Sequence, residues 1–180
     1  WLMKAFGHRT AAVLDGGLKR WKALGLSIET GDVSAPAPSG DFTARPNYRW
    51  LRGYGDVAEN LRSGAELVLD ARPAGRFAGR DPEPVEGLLS GHMPGAVNLP
   101  FTTLFDADGR FLDTMRLRDL FQAAGVTGVK PVVATCGAGV SATGLLMGLS
   151  LAGLPDGALY DGSWTEWAGS LDAPVARDAQ

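Results

Sequence analysis

The chain has 180 residues, 45% of them hydrophobic and 21% charged, with a formal net charge of -3. That is enough for one full domain with a buried core, and the balance is that of a globular protein rather than a disordered or fibrous one. No long basic block suggests a nucleic-acid surface, no apolar run reaches membrane-span length, and a single cysteine excludes an internal disulfide. A reducing, cytoplasmic setting is therefore expected. The chain opens on Trp1, and WLMKAFGHR lacks a charged-then-apolar signal layout, so its start reads as a cut rather than a targeting segment.

Taken in order, residues 1–6 read as the end of a helix and RTAAVLDGG, at 9–17, as a short strand running into a turn. LKRWKALGL, at 18–26, reads as a short amphipathic helix stopped by Gly25. These pieces alone bury no core. The far end of the chain explains them, because ALYDGSWTEWAG at 158–169 repeats the arrangement of AVLDGGLKRWKALG at 12–25. Asp15, Gly16 and Trp21 match Asp161, Gly162 and Trp167, each Trp standing six positions after its Asp. Such a repeat, with a domain's length between the copies, suggests two tandem domains of one fold. The expected division is 1–31 as the C-terminal remnant of a first domain, 32–47 as a linker rich in proline and small residues, and 48–180 as a full domain.

Within that domain the spacing predicts a helix over 54–62 and a buried strand over 67–69 that ends on Asp70 and Arg72. Polar residues at the end of a core strand are where open α/β folds keep their sites. Residues 73–87 read as a long turn-rich loop, and GHMPGAVNLPF at 91–101 carries a second strand around 96–98. TMRLRDLFQAAGV is an amphipathic helix with Met115, Leu117, Leu120 and Phe121 on or near one face. KPVVAT, at 130–135, is a buried strand and SATGLLMGLSLAGL a helix. Strands alternate with helices, so the expected fold is an α/β open parallel sheet with helices on both faces.

The only cysteine, Cys136, lies between that last strand and helix, in ATCGAGVSATG. A lone cysteine after a strand is ordinarily a small buried hydrophobe. Two glycines close behind it change the reading, because glycine is costly in ordered chain unless positive φ or a close ligand requires it. The amides of Gly137, Ala138, Gly139, Val140 and Ser141 can turn inward, and the first helical turn adds its unpaired amides. An anion would be cradled there, so Cys136 is expected to be a nucleophile acting as thiolate. A cysteine phosphatase would need an arginine six residues beyond the cysteine, where this chain has Ala142.

VLDAR at 68–72, GRF at 75–77, DPEP at 81–84, GHMPGAVNLPF, CGAGVSA at 136–142 and YDGSWTEW at 160–167 follow one another in one order. In these motifs the chain resembles the rhodanese superfamily, and more narrowly the second domain of a tandem mercaptopyruvate or thiosulfate sulfurtransferase. The remnant at 1–31 resembles the end of the family's first rhodanese-like domain. The resemblance implies a ping-pong reaction without metal or organic cofactor. Cys136 would take sulfur from a small-molecule donor as a persulfide held by the loop amides and pass it to cyanide or a thiol such as thioredoxin. It also implies a cleft completed by the missing first rhodanese-like domain.

Positions in the cysteine loop and around the GRF and DPEP motifs bear on the donor. Thiosulfate-using members carry basic residues where this chain has Gly137 and Ala138, which favours 3-mercaptopyruvate. The mercaptopyruvate branch has CGSGVTA, so Ala138 replaces its serine. Arg76 matches one of that branch's substrate-binding arginines, whereas Val85 and Glu86 stand where a second is expected; Arg80 lies near enough to substitute. Asp70 is expected to organise the loop and pair with Arg72, and His92 to be a backbone-bonded turn histidine. Trp164 and Trp167 are expected to pack in the core or at a domain interface, and residues 106–109 to form a turn rather than a calcium loop. A non-catalytic rhodanese-like binding module, or a fragment inactive without its first domain, remains an alternative.

Overall fold

The computed structural model describes residues 1–8, 10–32 and 40–178. In chain order, α1 (Leu2–Ala5) and α2 (Gly17–Ala23) precede β1 (Leu51–Arg52), α3 (Tyr54–Ser63), β2 (Leu67–Asp70), α4 (Ala74–Phe77) and β3 (Val97–Asn98). Then come α5 (Thr114–Ala123), β4 (Val132–Thr135), α6 (Ala142–Leu151), β5 (Ala158–Tyr160) and α7 (Ser163–Gly169).

The five strands form one sheet in the order β1-β5-β4-β2-β3, every pair parallel. LVLD, VVAT and ALY are buried along nearly their whole length and apolar up to the polar Asp70 and Thr135 at their carboxyl ends, as strands covered on both sides are. On one face Leu69, Ala134 and Leu159 pack against Leu117 and Phe121 of α5 and Leu145 and Leu149 of α6. On the other, Val68, Val133 and Tyr160 pack against Val57 of α3 and Trp164 and Trp167 of α7. The expected parallel α/β sheet with helices on both faces is thus the observed fold. Asp70 is in register with Thr135, so β2 and β4 deliver their carboxyl ends side by side.

Local chemistry sets the helix boundaries. Asp113 caps α5 by accepting the Arg116 amide at 2.9 Å, and the Gly53 amide donates to Asp56 at 2.8 Å across the start of α3. Met115 is exposed, contrary to the sequence reading, because it lies two positions from buried Leu117 and so about 200° around the helix. The loop expected over 73–87 contains α4, whose first turn closes when the Arg76 and Phe77 amides donate to Pro73 O.

The strand expected over 9–17 does not form among its described residues, 10–17, and Arg9 lies outside the described residues. A strand needs a ladder partner, and no described strand reaches this segment. Val13, Leu14, Leu18 and Leu24 are left exposed. Of the expected linker, 33–39 lie outside the described residues, while 40–47 carry no regular structure. The Arg45 and Asn47 amides bond the carbonyls of Phe6 and Ala5 at 2.9 and 2.8 Å, and Lys4 pairs with Asp156 at 2.7 Å, fastening the first residues to the domain. In each copy of the repeat the indole donates to a carbonyl downstream, though not at the same offset: Trp21 Nε1 to Ser27 O at 2.8 Å, six residues on, and Trp167 Nε1 to Pro174 O at 3.0 Å, seven residues on.

Candidate active site

Cys136 follows β4 directly and is 2% exposed. The chain turns through 137–141 before α6 begins at Ala142. Gly139 makes the turn possible: its φ is +76°, and a Cβ there would lie 2.7 Å from the backbone oxygen of Asp161. The start of α7 braces this loop. Ser163 Oγ accepts the amides of Cys136 and Gly139 at 3.1 and 2.9 Å, and Trp164 N donates to Cys136 O at 3.0 Å. Thr165 donates to Gly137 O from both its amide, at 2.9 Å, and its hydroxyl, at 2.7 Å.

These bonds correct the expectation that all five amides of 137–141 face inward. The Gly139 amide is taken by Ser163, because the loop passes close to the turn before α7. The amides of Gly137, Ala138, Val140 and Ser141 have no acceptor among the described residues. Unpaired amides at the start of a helix favour an anion.

A chain of charges runs from the sheet to this loop. Arg72 N donates to Asp70 Oδ1 at 2.9 Å, and the Arg72 guanidinium pairs with Asp70 at 2.6 Å, both side chains being buried. Burial pushes the Asp70 carboxyl up from its ordinary range, and the Arg72 hydrogen bonds pull against that. Arg72 also donates to Gly91 O at 2.7 Å and to Glu83 Oε1 at 2.8 Å, and lies 4.2 Å over the Trp164 ring. Glu83 in turn holds Arg76 through Nε at 3.1 Å and through Nη2. Arg76 is half-buried beside the loop: a Cβ on Gly137 would come 3.2 Å from its Nη2. Its Nη1 has no partner among the described residues.

The structure thus gathers Cys136, residues 137–141 and Arg76 at one place, with Asp70 behind them. Arg80 is exposed, with no side-chain partner among the described residues. His92 Nδ1 lies 2.9 Å from Phe77 O, a backbone contact of the kind its turn implied. Trp164 and Trp167 are fully buried. Asp106 accepts the amides of Asp108 and Arg110 at 2.9 and 3.0 Å, closing a turn, and no cluster of metal-ligating side chains exists among the described residues. Sequence reasoning missed Glu83, Ser163 and Thr165. The acid between two prolines in DPEP, and the hydroxyls following an Asp-Gly turn, were the signals available.

Sheet and loop together define an α/β protein that presents one cysteine at the carboxyl end of a central parallel strand. The chain belongs to the rhodanese-like family: residues 54–170 match the family described as Rhodanese-like domain. It is 44% identical over 167 residues to 3-mercaptopyruvate sulfurtransferase of Homo sapiens, covering 93% of this chain and 56% of that protein. It is 42% identical over 168 residues to thiosulfate sulfurtransferase of Bos taurus, again covering 93% and 56%. The crystal structure of the Tum1 protein from Saccharomyces cerevisiae is similar with a TM-score of 0.85 at 27% identity, covering 99% of this chain and 64% of that one. The chain spans about half the length of the curated relatives it matches. No helix among the described residues is long and apolar enough to cross a membrane.

Proposed function

We propose that this chain carries the catalytic cysteine domain of a sulfurtransferase, with Cys136 as the sulfur carrier and 3-mercaptopyruvate as the favoured donor. One observation carries the reading: Cys136 heads a loop with four amides that have no acceptor among the described residues, flanked by a guanidinium whose Nη1 likewise has no partner there. The Cys136 thiolate attacks the donor sulfur, forming the S–S bond as the donor C–S bond breaks. The electron pair leaves as the enolate of pyruvate, which takes the proton from the new persulfide. An acceptor thiolate or cyanide then attacks the outer sulfur and regenerates the Cys136 thiolate. The loop amides of Gly137, Ala138, Val140 and Ser141 stabilise the persulfide anion.

Donor preference follows from charge. Thiosulfate is a dianion, and Gly137 and Ala138 offer it no cation, whereas Arg76 Nη1 suits a single carboxylate. Asp70 organises the site by fixing Arg72. A thiol such as thioredoxin in a reducing, cytoplasmic setting fits as acceptor.

A second reading concerns the unit of activity. The exposed Val13, Leu14, Leu18 and Leu24 and the matched Asp-Gly to Trp spacing support assigning 1–31 to a first rhodanese-like domain. The domain at 48–180 would then work with that first domain and be inactive without it. Both readings are tested by incubating this chain, alone and extended by such a domain, with 3-mercaptopyruvate or thiosulfate and weighing the protein. A one-sulfur adduct removed by cyanide and absent in Cys136→Ser is expected. No adduct with either donor in the extended protein would overturn the enzyme reading.

A further inference from the structure

Ser163 is the one non-glycine residue among those described with a left-handed backbone, at φ +52°. The residue at the same sequence position in the repeat, two after the matching aspartate, is Gly17 at φ +57°, although the glycines before them differ, Gly16 at +82° and Gly162 at −57°. The first copy thus fills a left-handed position with the residue that adopts it at no steric cost, and the second fills it with a residue that is strained there. The hydroxyl accounts for the difference. Ser163 is fully buried, and its Oγ donates to Tyr160 O at 2.8 Å while accepting from Cys136 N and Gly139 N. One donor and two lone pairs are all used.

We propose that Ser163 is a positioning residue for sulfur transfer at Cys136, a role that rests on the sulfurtransferase reading above. By taking the amides on either side of Gly137 and Ala138, its hydroxyl fixes the curvature of the loop and leaves the amides of Gly137, Ala138, Val140 and Ser141 for the sulfur. The strain at Ser163 is retained because glycine, the relaxed residue, has no oxygen to accept these amides.

The test compares Ser163→Ala and Ser163→Gly in the protein that loads sulfur from 3-mercaptopyruvate. Both variants lose the hydroxyl, but glycine relieves the backbone strain, so the two differ in thermal stability. Positioning predicts that both load sulfur at least about tenfold more slowly per folded molecule, by a similar factor, with faster spontaneous loss of the persulfide and donor KM little changed. Loading rates that follow stability, with Ser163→Gly near wild type, would overturn the proposal. Hydrogen exchange in the unaltered protein gives an independent reading that needs no variant to fold. The amides of Cys136 and Gly139 are expected to be protected while those of Gly137, Ala138, Val140 and Ser141 exchange quickly and slow on sulfur loading. Equal exchange at all six would refute the role of Ser163. Failure of the unaltered protein extended by a first domain to load any donor counts against the sulfurtransferase reading, and the exchange pattern separates the two failures.

Discussion

Arg76 Nη2 lies tight against the cysteine loop, 3.2 Å from where a Cβ on Gly137 would stand. The bare backbone at 137 is therefore what lets a guanidinium lie beside the cysteine loop. Gly137→Ala should push the Arg76 guanidinium slightly off its bond to Glu83 without unfolding anything, since a half-buried side chain has to give by only a few tenths of an ångström. The expected result is a KM for 3-mercaptopyruvate raised about threefold or more, with kcat nearly unchanged, in steady-state assays. An unchanged KM would detach Arg76 from donor binding.

Gly139 is a different case. A methyl group there would meet the Asp161 backbone oxygen at 2.7 Å with φ already at +76°, and backbone cannot step aside as a side-chain tip can. Gly139→Ala should cost about 2 kcal/mol or more in chemical denaturation and abolish sulfur loading even where the protein remains folded.

Glu83 links two arginines while itself 2% exposed. Glu83→Gln keeps the shape but removes the charge, leaving Arg72 with Asp70 as its one anionic partner. A loss of about 1–3 kcal/mol is expected from urea unfolding, because the buried guanidinium keeps a weaker partner. A neutral result would mean that Asp70 alone satisfies Arg72.

Asp106 supplies a pH test away from the site. The Arg110 amide, the largest influence, outweighs desolvation, and the Asp108 amide and the Arg110 side chain add to it, so the carboxyl is held below its ordinary value. A carboxylate lowered in the folded state adds stability above its unfolded pKa, near 4, and that stability is lost as pH falls through the folded value. Asp106→Asn keeps an oxygen for the two amides but has no proton to gain. Wild type should therefore lose stability more steeply than the variant as pH drops below about 4, measured by denaturant unfolding at each pH.

The parts of this fold that were legible in the sequence are those fixed by near neighbours. LVLD and VVAT read as buried strands because unbroken apolar runs have few other uses, and the α5 spacing located Leu117 and Phe121 correctly. Asp70 and Arg72, two positions apart at a strand end, could be paired by reach alone. Residues 10–17 had strand composition without a strand to join, and composition cannot report a missing partner. Met115 was misplaced because apolar character was read where angular position decides burial.

For the candidate site the division is sharper. The sequence alone determined that a cysteine heads a glycine-bearing turn between a buried strand and a helix, since residue types in one short stretch specify that geometry. Only the tertiary structure decided which amides of that turn remain free. Cys136 and Gly139 give theirs to Ser163, 27 and 24 residues away, and Gly137 leaves room for Arg76. Hydrogen bonds and steric room between distant segments exist only once the sheet has aligned the carboxyl ends of β2, β4 and β5.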